Sequence, residues 1–221
     1  MRILIFLLTS LLSACNATNN AQSTEITNPK LFADDDFKSI PVRIHVLKSS
    51  NAQNLNAKIS HNEAVDVFNI VNLIWRQAGI HFEIESIVNL KASNENQYVA
   101  ARKRNDRNMK VMRGVCDIPK QSKGVLNLCV VGQMSNNSGG VYFKSSKPKV
   151  VWPSRGKKPL NPATLAHEFG HFLGLPHNTE KDIFLMRGGG NNMRRNKRFN
   201  MIQFTESEIV KSRKMATKLF H

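Results

Sequence analysis

The chain has 221 residues and a formal net charge of +16, from 32 Lys and Arg against 16 Asp and Glu. That length holds one domain with a substantial core rather than two, and no internal repeat or long linker divides it. So basic a surface would attract acidic polypeptides, lipid head groups or polyanionic cell-wall polymers, but no nucleic-acid-binding motif accompanies the charge, and nucleic acid is not expected as a partner.

Residues 1–14 have a charged start at Arg2 and then an apolar stretch of about a dozen residues, too short for a permanent transmembrane helix and suited to a secretory signal. Leu12, Ser13, Ala14 and Cys15 then resemble the bacterial lipobox. That resemblance implies cleavage before Cys15, lipidation of the new terminal cysteine, and a mature protein anchored by lipid in the bacterial cell envelope, outside the cytoplasm. Asn16 in place of an aspartate resembles the default for outer-membrane delivery in bacteria of Gram-negative type. The alternative is an ordinary cleaved signal with an incidental cysteine. Residues 15–36 are rich in Asn, Thr, Ser and Asp and cannot form a core, so they read as a flexible tether. A second reading makes this segment a short propeptide in which Asp34, Asp35 or Asp36 covers the functional site.

Residues 37–221 form the folded domain. Ile40 to Leu47 alternates apolar and polar residues as a half-buried strand does. Ser60 precedes a helix in which Val67, Ile70, Val71, Ile74 and Trp75 follow helical spacing, and Gly79 ends it. The stretch from Ile80 alternates again as a second strand. A polar, basic region from Lys91 to about Gly124 reads as a helix and loops, and Val125 to Val131 is a compact apolar run suited to a central strand. Gly140 to Phe143 and Val150 to Trp152 supply two more strands. Asn161 is placed to cap the next helix, with Pro162 at its first position. A final helix opens at Thr205 through the capping-box pattern TESE. With Cys15 lipidated, Cys116 and Cys129 remain, and two thiols in an exported protein suggest a disulfide.

The segment His167 to His177, HEFGHFLGLPH, carries the chemistry. Residues four apart share one face of a helix, so His167 and His171 can grip a single metal ion from adjacent turns. Glu168 lies beside them as a general base toward water. Gly174 tolerates the positive φ of a helix C-cap, and Pro176 cannot continue the helix, so the chain can return with His177 as a third ligand.

This pattern resembles the active-site helix of the metzincin clan of zinc endopeptidases. The clan carries a methionine in a tight turn beneath the metal, and Met186, in IFLMRGGG, matches that position better than Met193. The interval of eight residues from His177 is similar to that of the matrixin-like members. Gly188 stands where some metzincins have a tyrosine ligand, so three histidines and water are expected around one catalytic Zn2+. The resemblance implies an α+β catalytic domain: a twisted mixed sheet of about five strands with an active-site helix, a backing helix and a C-terminal helix. It makes the strand around 139–143 the edge strand of the cleft. Arg187 would sit in a loop that shapes the substrate pocket, where it would favour an acidic side chain or simply face solvent. Arg113 to Asp117, RGVCD, faintly resembles the matrixin inhibitory motif but differs in residue order and lies inside the domain.

The function expected is a zinc-dependent endopeptidase hydrolysing peptide bonds of proteins outside the cytoplasm, with protein or peptide substrates and a membrane attachment at Cys15. Its rivals are a cell-wall peptide hydrolase and a non-catalytic metzincin-like binding lipoprotein. An intact Glu168 argues against the last, because a structural metal site needs no general base. No calcium-loop pattern is present, and oligomeric state leaves no signal in the sequence.

Overall fold

The computed structural model describes residues 36–104, 109–118, 124–136, 138–145, 148–155, 160–179, 181–188 and 198–220. The signal segment, the lipobox with Cys15, all of the tether before Asp36, and Met193 lie outside them. Five strands form one mixed sheet: β1 (Lys38–Lys48), β2 (Ile80–Lys91), β3 (Leu126–Val131), β4 (Val141–Phe143) and β5 (Lys149–Pro153), in the order β2-β1-β3-β5-β4. The first four in that order run parallel, and β4 pairs antiparallel with β5 at the edge. β4 is thus an edge strand, the position that the resemblance implies for residues 139–143.

Both faces of the sheet are covered, as a largely parallel sheet requires. On one face lie α1 (His61–Trp75), α4 (Pro162–Phe172) and α5 (Glu206–Phe220), and their apolar sides close over Ile40, Val42, Ile44, Leu126, Leu128 and Trp152. The basic stretch after Lys91 forms two short helices on the other face, α2 (Glu95–Lys103) and α3 (Lys110–Val115), where sequence alone suggested one. Tyr98, Met112 and Val115 pack there against Leu47 and Val131. A disulfide joins Cys116, just after α3, to Cys129 on β3, with Cα atoms 6.4 Å apart. The Lys149 ammonium is buried and donates to the Arg113 and Cys116 carbonyls, a cation at the C-terminal end of α3 where the helix dipole favours one.

The helix ends follow their capping residues. Ser60 and Glu63 form a reciprocal capping box at α1, and the chain leaves through a 3-10 turn at Arg76–Ala78. The Asn161 side chain accepts from the Thr164 amide at the start of α4, with Pro162 in the first turn. At α5, Thr205 and Glu208 form the second capping box. The Trp75 indole donates to the Ala166 carbonyl at 3.2 Å, which holds α1 against α4 as its backing helix. Arg43 on β1 and Glu85, at a register shift in β2, make a two-pronged ion pair that pulls the Glu85 carboxyl down to about 2. No helix among the described residues is long and apolar enough to cross a membrane.

Candidate metal centre

Helix α4 delivers the first two histidines. His167 and His171 lie one turn apart, His167 nearly buried and His171 partly so. The helix then stops in a Schellman turn: the Gly174 amide donates to the His171 carbonyl at 3.0 Å and the Leu175 amide to the Gly170 carbonyl at 2.9 Å. Gly174 takes φ +82°, which a Cβ would strain. Reversed by this turn, the chain brings His177 back over the helix, exposed on its outer side. His177 Nε2 lies 3.2 Å from His167 Nε2 and 3.1 Å from His171 Nε2.

The second nitrogen of two of these rings decides what the cluster can do. His167 Nδ1 lies 2.7 Å from the Leu185 carbonyl, and His171 Nδ1 lies 2.8 Å from the Leu175 carbonyl. A carbonyl only accepts, so both Nδ1 atoms carry the proton and both Nε2 atoms of the neutral rings present lone pairs. At most one of these lone pairs can be met by a proton on His177. Acceptors crowded in this way call for a cation. Tetrahedral zinc–nitrogen bonds of about 2.0–2.1 Å set neighbouring nitrogens roughly 3.3–3.4 Å apart, close to the spacing seen. The donor set therefore fits zinc. Among the described residues, the cluster of potential ligand atoms consists of these three histidines, all within 4.8 Å of one another.

Glu168 lies next to the cluster in sequence and is 8% exposed. Gly140, just before β4, sits so close that a Cβ there would come within 3.2 Å of the Glu168 Cγ. The edge strand and the carboxylate thus share one wall of the site.

Met186 is fully buried beneath α4. A Cβ on Gly170 would overlap the Met186 sulfur and come within 3.1 Å of its methyl. The segment around Met186 is fastened to the histidine return: the Asn178 amide donates to the Met186 carbonyl at 2.9 Å and the Gly188 amide to the Asn178 carbonyl at 3.1 Å. Gly188 backs directly onto His177. Asn178 also donates through Nδ2 to Glu208 Oε1 at 2.7 Å. Arg187 pairs with Asp182 at 2.6 Å and donates to the Thr179 carbonyl, so its charge is met within its own loop. The Asp36 carbonyl accepts from Arg213 of α5, and Lys38 starts β1 against Gly79. Asp34 and Asp35 fall outside the described residues.

The structure brings together His167, His171, His177 and Met186, with Glu168 alongside; Cys116 and Cys129 meet on the opposite face of the sheet. Sequence reasoning missed the carbonyls of Leu175 and Leu185, the close approach at Gly170 and Gly140, and the Asn178–Glu208 contact. Only Glu208 left a trace in the sequence, as the last residue of TESE.

A model of the reprolysin-like metallopeptidase family M12B matches residues 61–178, more than half of the chain, from the start of α1 to the residue after His177. No curated protein matches. Among solved structures, a chain in a chaperone–substrate complex is 18% identical with a TM-score of 0.47, covering 84% of this chain; this chain covers 40% of its length. Archaemetzincin from Methanopyrus kandleri is 13% identical with a TM-score of 0.48, over 81% of this chain and 97% of that one. A promirolysin mutant from Tannerella forsythia is 16% identical with a TM-score of 0.48, over 84% and 83%.

Proposed function

The chain belongs to the reprolysin-like M12B metallopeptidases, which are metzincin-type, and from that membership we propose that it is a zinc-dependent endopeptidase acting on proteins outside the cytoplasm. The observation that carries the proposal is the convergence of three imidazole Nε2 atoms, two of them held as lone-pair donors to a metal by the Leu185 and Leu175 carbonyls. Zinc bound there would supply Lewis acidity, lowering the pKa of a water to about 7 and stabilising charge on a carbonyl oxygen.

The remaining steps fall to the chain's own residues. Glu168 takes a proton from the attacking water and passes it to the departing amine, so that the scissile C–N bond breaks with a neutral leaving group. Its burial beside Gly140 sets the carboxylate against the strand edge along which a peptide would lie. Leu185 and Leu175 hold the imidazole tautomers, and Met186 supports the helix from below without coordinating. A lipid anchor at Cys15, with a tether to Asp36, would hold the domain at the outer face of a bacterial membrane.

The test compares the purified protein with its Glu168→Ala variant. Both should bind zinc equally by metal analysis and show the same circular dichroism. The variant should hydrolyse an unbiased peptide library about a hundred- to ten-thousandfold more slowly. Undiminished cleavage by Glu168→Ala would end the mechanism, and failure of the wild-type protein to cleave any peptide would end the proposed activity.

A further inference from the structure

A cavity of about 490 Å3 adjoins the histidine cluster, between the start of β3, the end of β4, the end of α4 and the last turns of α5. His171 forms part of its wall, Tyr142, Phe172, Met215, Leu219 and Phe220 form its large apolar side chains, and Asn127 and Ser145 add polar groups. The aromatic rings are contiguous: Tyr142 meets Phe172 edge-on at 6.0 Å between centroids, and Phe172 meets Phe220 at 5.9 Å. Leu219 is 41% exposed at the rim, so an apolar ligand seated there would remove its surface from water. Lys144 also lines the cavity and would repel a cationic occupant.

Strand direction determines what can reach this cavity. Gly140 lies against Thr164 and Glu168, whereas Tyr142 lies against Phe172, so β4 and α4 run the same way along the cleft. β5 occupies one edge of β4. A peptide added antiparallel to the other edge would run from the cavity toward Glu168. Residues on the amino-terminal side of the cleaved bond would then lie over the cavity. Val141 and Phe143 pack on the sheet face covered by α2 and α3, which leaves Tyr142 on the α4 face. Residues opposite each other in an antiparallel pair point to the same side, so peptide side chains sharing the Tyr142 face are directed into the cavity.

Resting on the endopeptidase reading above, we infer that this cavity is a specificity pocket for a large apolar side chain, aromatic or leucine-like, on the amino-terminal side of the cleaved bond. Its volume, and walls in which apolar side chains outnumber polar ones, match those of small-ligand pockets generally. The C-terminal helix, remote in sequence from the histidines, thereby takes part in substrate choice.

The test uses peptides of one cleavable sequence in which each of the three residues before the bond is in turn Phe, Leu, Ala or Lys. At one of those positions kcat/KM should be about tenfold or more higher for Phe than for Ala, and lowest for Lys. Leu219→Glu should bring the Phe-to-Ala ratio close to unity. Val210→Glu, on an exposed part of α5 away from the cavity, should leave that ratio as in the wild type. Calorimetric binding of the same peptides to zinc-loaded Glu168→Ala protein reads the pocket without hydrolysis. Cleavage with no such preference, or with a preference that Leu219→Glu leaves intact, overturns the pocket and spares the peptidase. Peptide binding that favours Phe and depends on Leu219, without hydrolysis by the wild type, supports the pocket and overturns the peptidase. Neither hydrolysis nor selective binding overturns both.

Discussion

Gly170 occupies one of the unspecified positions of HEFGHFLGLPH, and the packing beneath the metal centre depends on it. Helix propensity alone says that Gly170→Ala should stabilise α4 by about 1 kcal/mol. The new methyl would, however, overlap the Met186 sulfur, and because Met186 is fully buried its thioether would have to repack within the core. Overpacking of this kind costs about 1–3 kcal/mol, so the steric effect should win. Gly170→Ala is expected to lower the thermal midpoint and to weaken zinc binding, and pairing it with Met186→Ala should recover part of the loss through a non-additive coupling. A raised midpoint in Gly170→Ala would show that Met186 does not press on the helix. At this scale the sequence pointed to the three histidines that the fold brings together, because His at fixed spacing carries a recognisable pattern. It was silent on the Leu175 and Leu185 carbonyls, since every residue has a carbonyl and only the folded path decides which one meets an imidazole.

At the scale of elements, α5 is tied to the metal centre through one carboxylate. Glu208 is nearly buried; its Oε2 accepts from the Thr205 amide at 2.8 Å and its Oε1 from Asn178 at 2.7 Å. Asn178 directly follows His177 and its amide is bonded to the Met186 carbonyl, so the carboxylate closes a frame around the third histidine. Glu208→Ala removes a helix cap and leaves the Asn178 amide without this acceptor, which should destabilise by about 1–3 kcal/mol. Zinc affinity should fall roughly tenfold, as for other residues that support metal ligands indirectly. Glu208→Gln keeps an acceptor for Thr205 and can donate to a rotated Asn178 amide, so it should restore most of the affinity. Competition with a chromogenic chelator measures both variants, and an unchanged affinity in Glu208→Ala would take α5 out of the frame. The TESE pattern made the cap legible, but a capping box says nothing about what else its carboxylate touches. The strands were legible for a related reason and with a related gap: period-two alternation reports which face is buried, not which strand lies alongside. The order β2-β1-β3-β5-β4 emerges only from pairing. The helices α2 and α3 were hardest to read, because they are short and basic and are held by distant partners, including the Cys116–Cys129 bridge.

At the scale of the whole molecule, the sheet separates two apolar layers, and a polar group is buried between strands on the α2–α3 side. His45 of β1 donates through Nε2 to Asn127 Oδ1 of β3 at 2.9 Å, while the Asn127 amide donates to the Val125 carbonyl. Burial, first of all, pushes the His45 imidazole below its ordinary value of 6.5. The hydrogen bond to Asn127 opposes that effect, and the positive charges of Arg43 and Lys149 add to it. In a chain of formal charge +16 another buried cation is poorly accommodated. The sign of the linkage follows. Below the ordinary pKa the unfolded chain takes up a proton at His45 that the folded chain resists, so the unfolded state binds more protons and stability rises with pH. Stability contributed by the neutral ring is therefore complete above pH 6.5 and is lost as pH falls from there toward the lowered folded value. Urea unfolding midpoints measured from pH 7.5 to 5.5 should decline for the wild type and decline less for His45→Gln, which keeps a donor for Asn127 but cannot titrate. His167, His171 and His177 contribute alike to both proteins, so the difference between the two slopes isolates His45; equal slopes would mean that His45 takes up its proton as readily folded as unfolded.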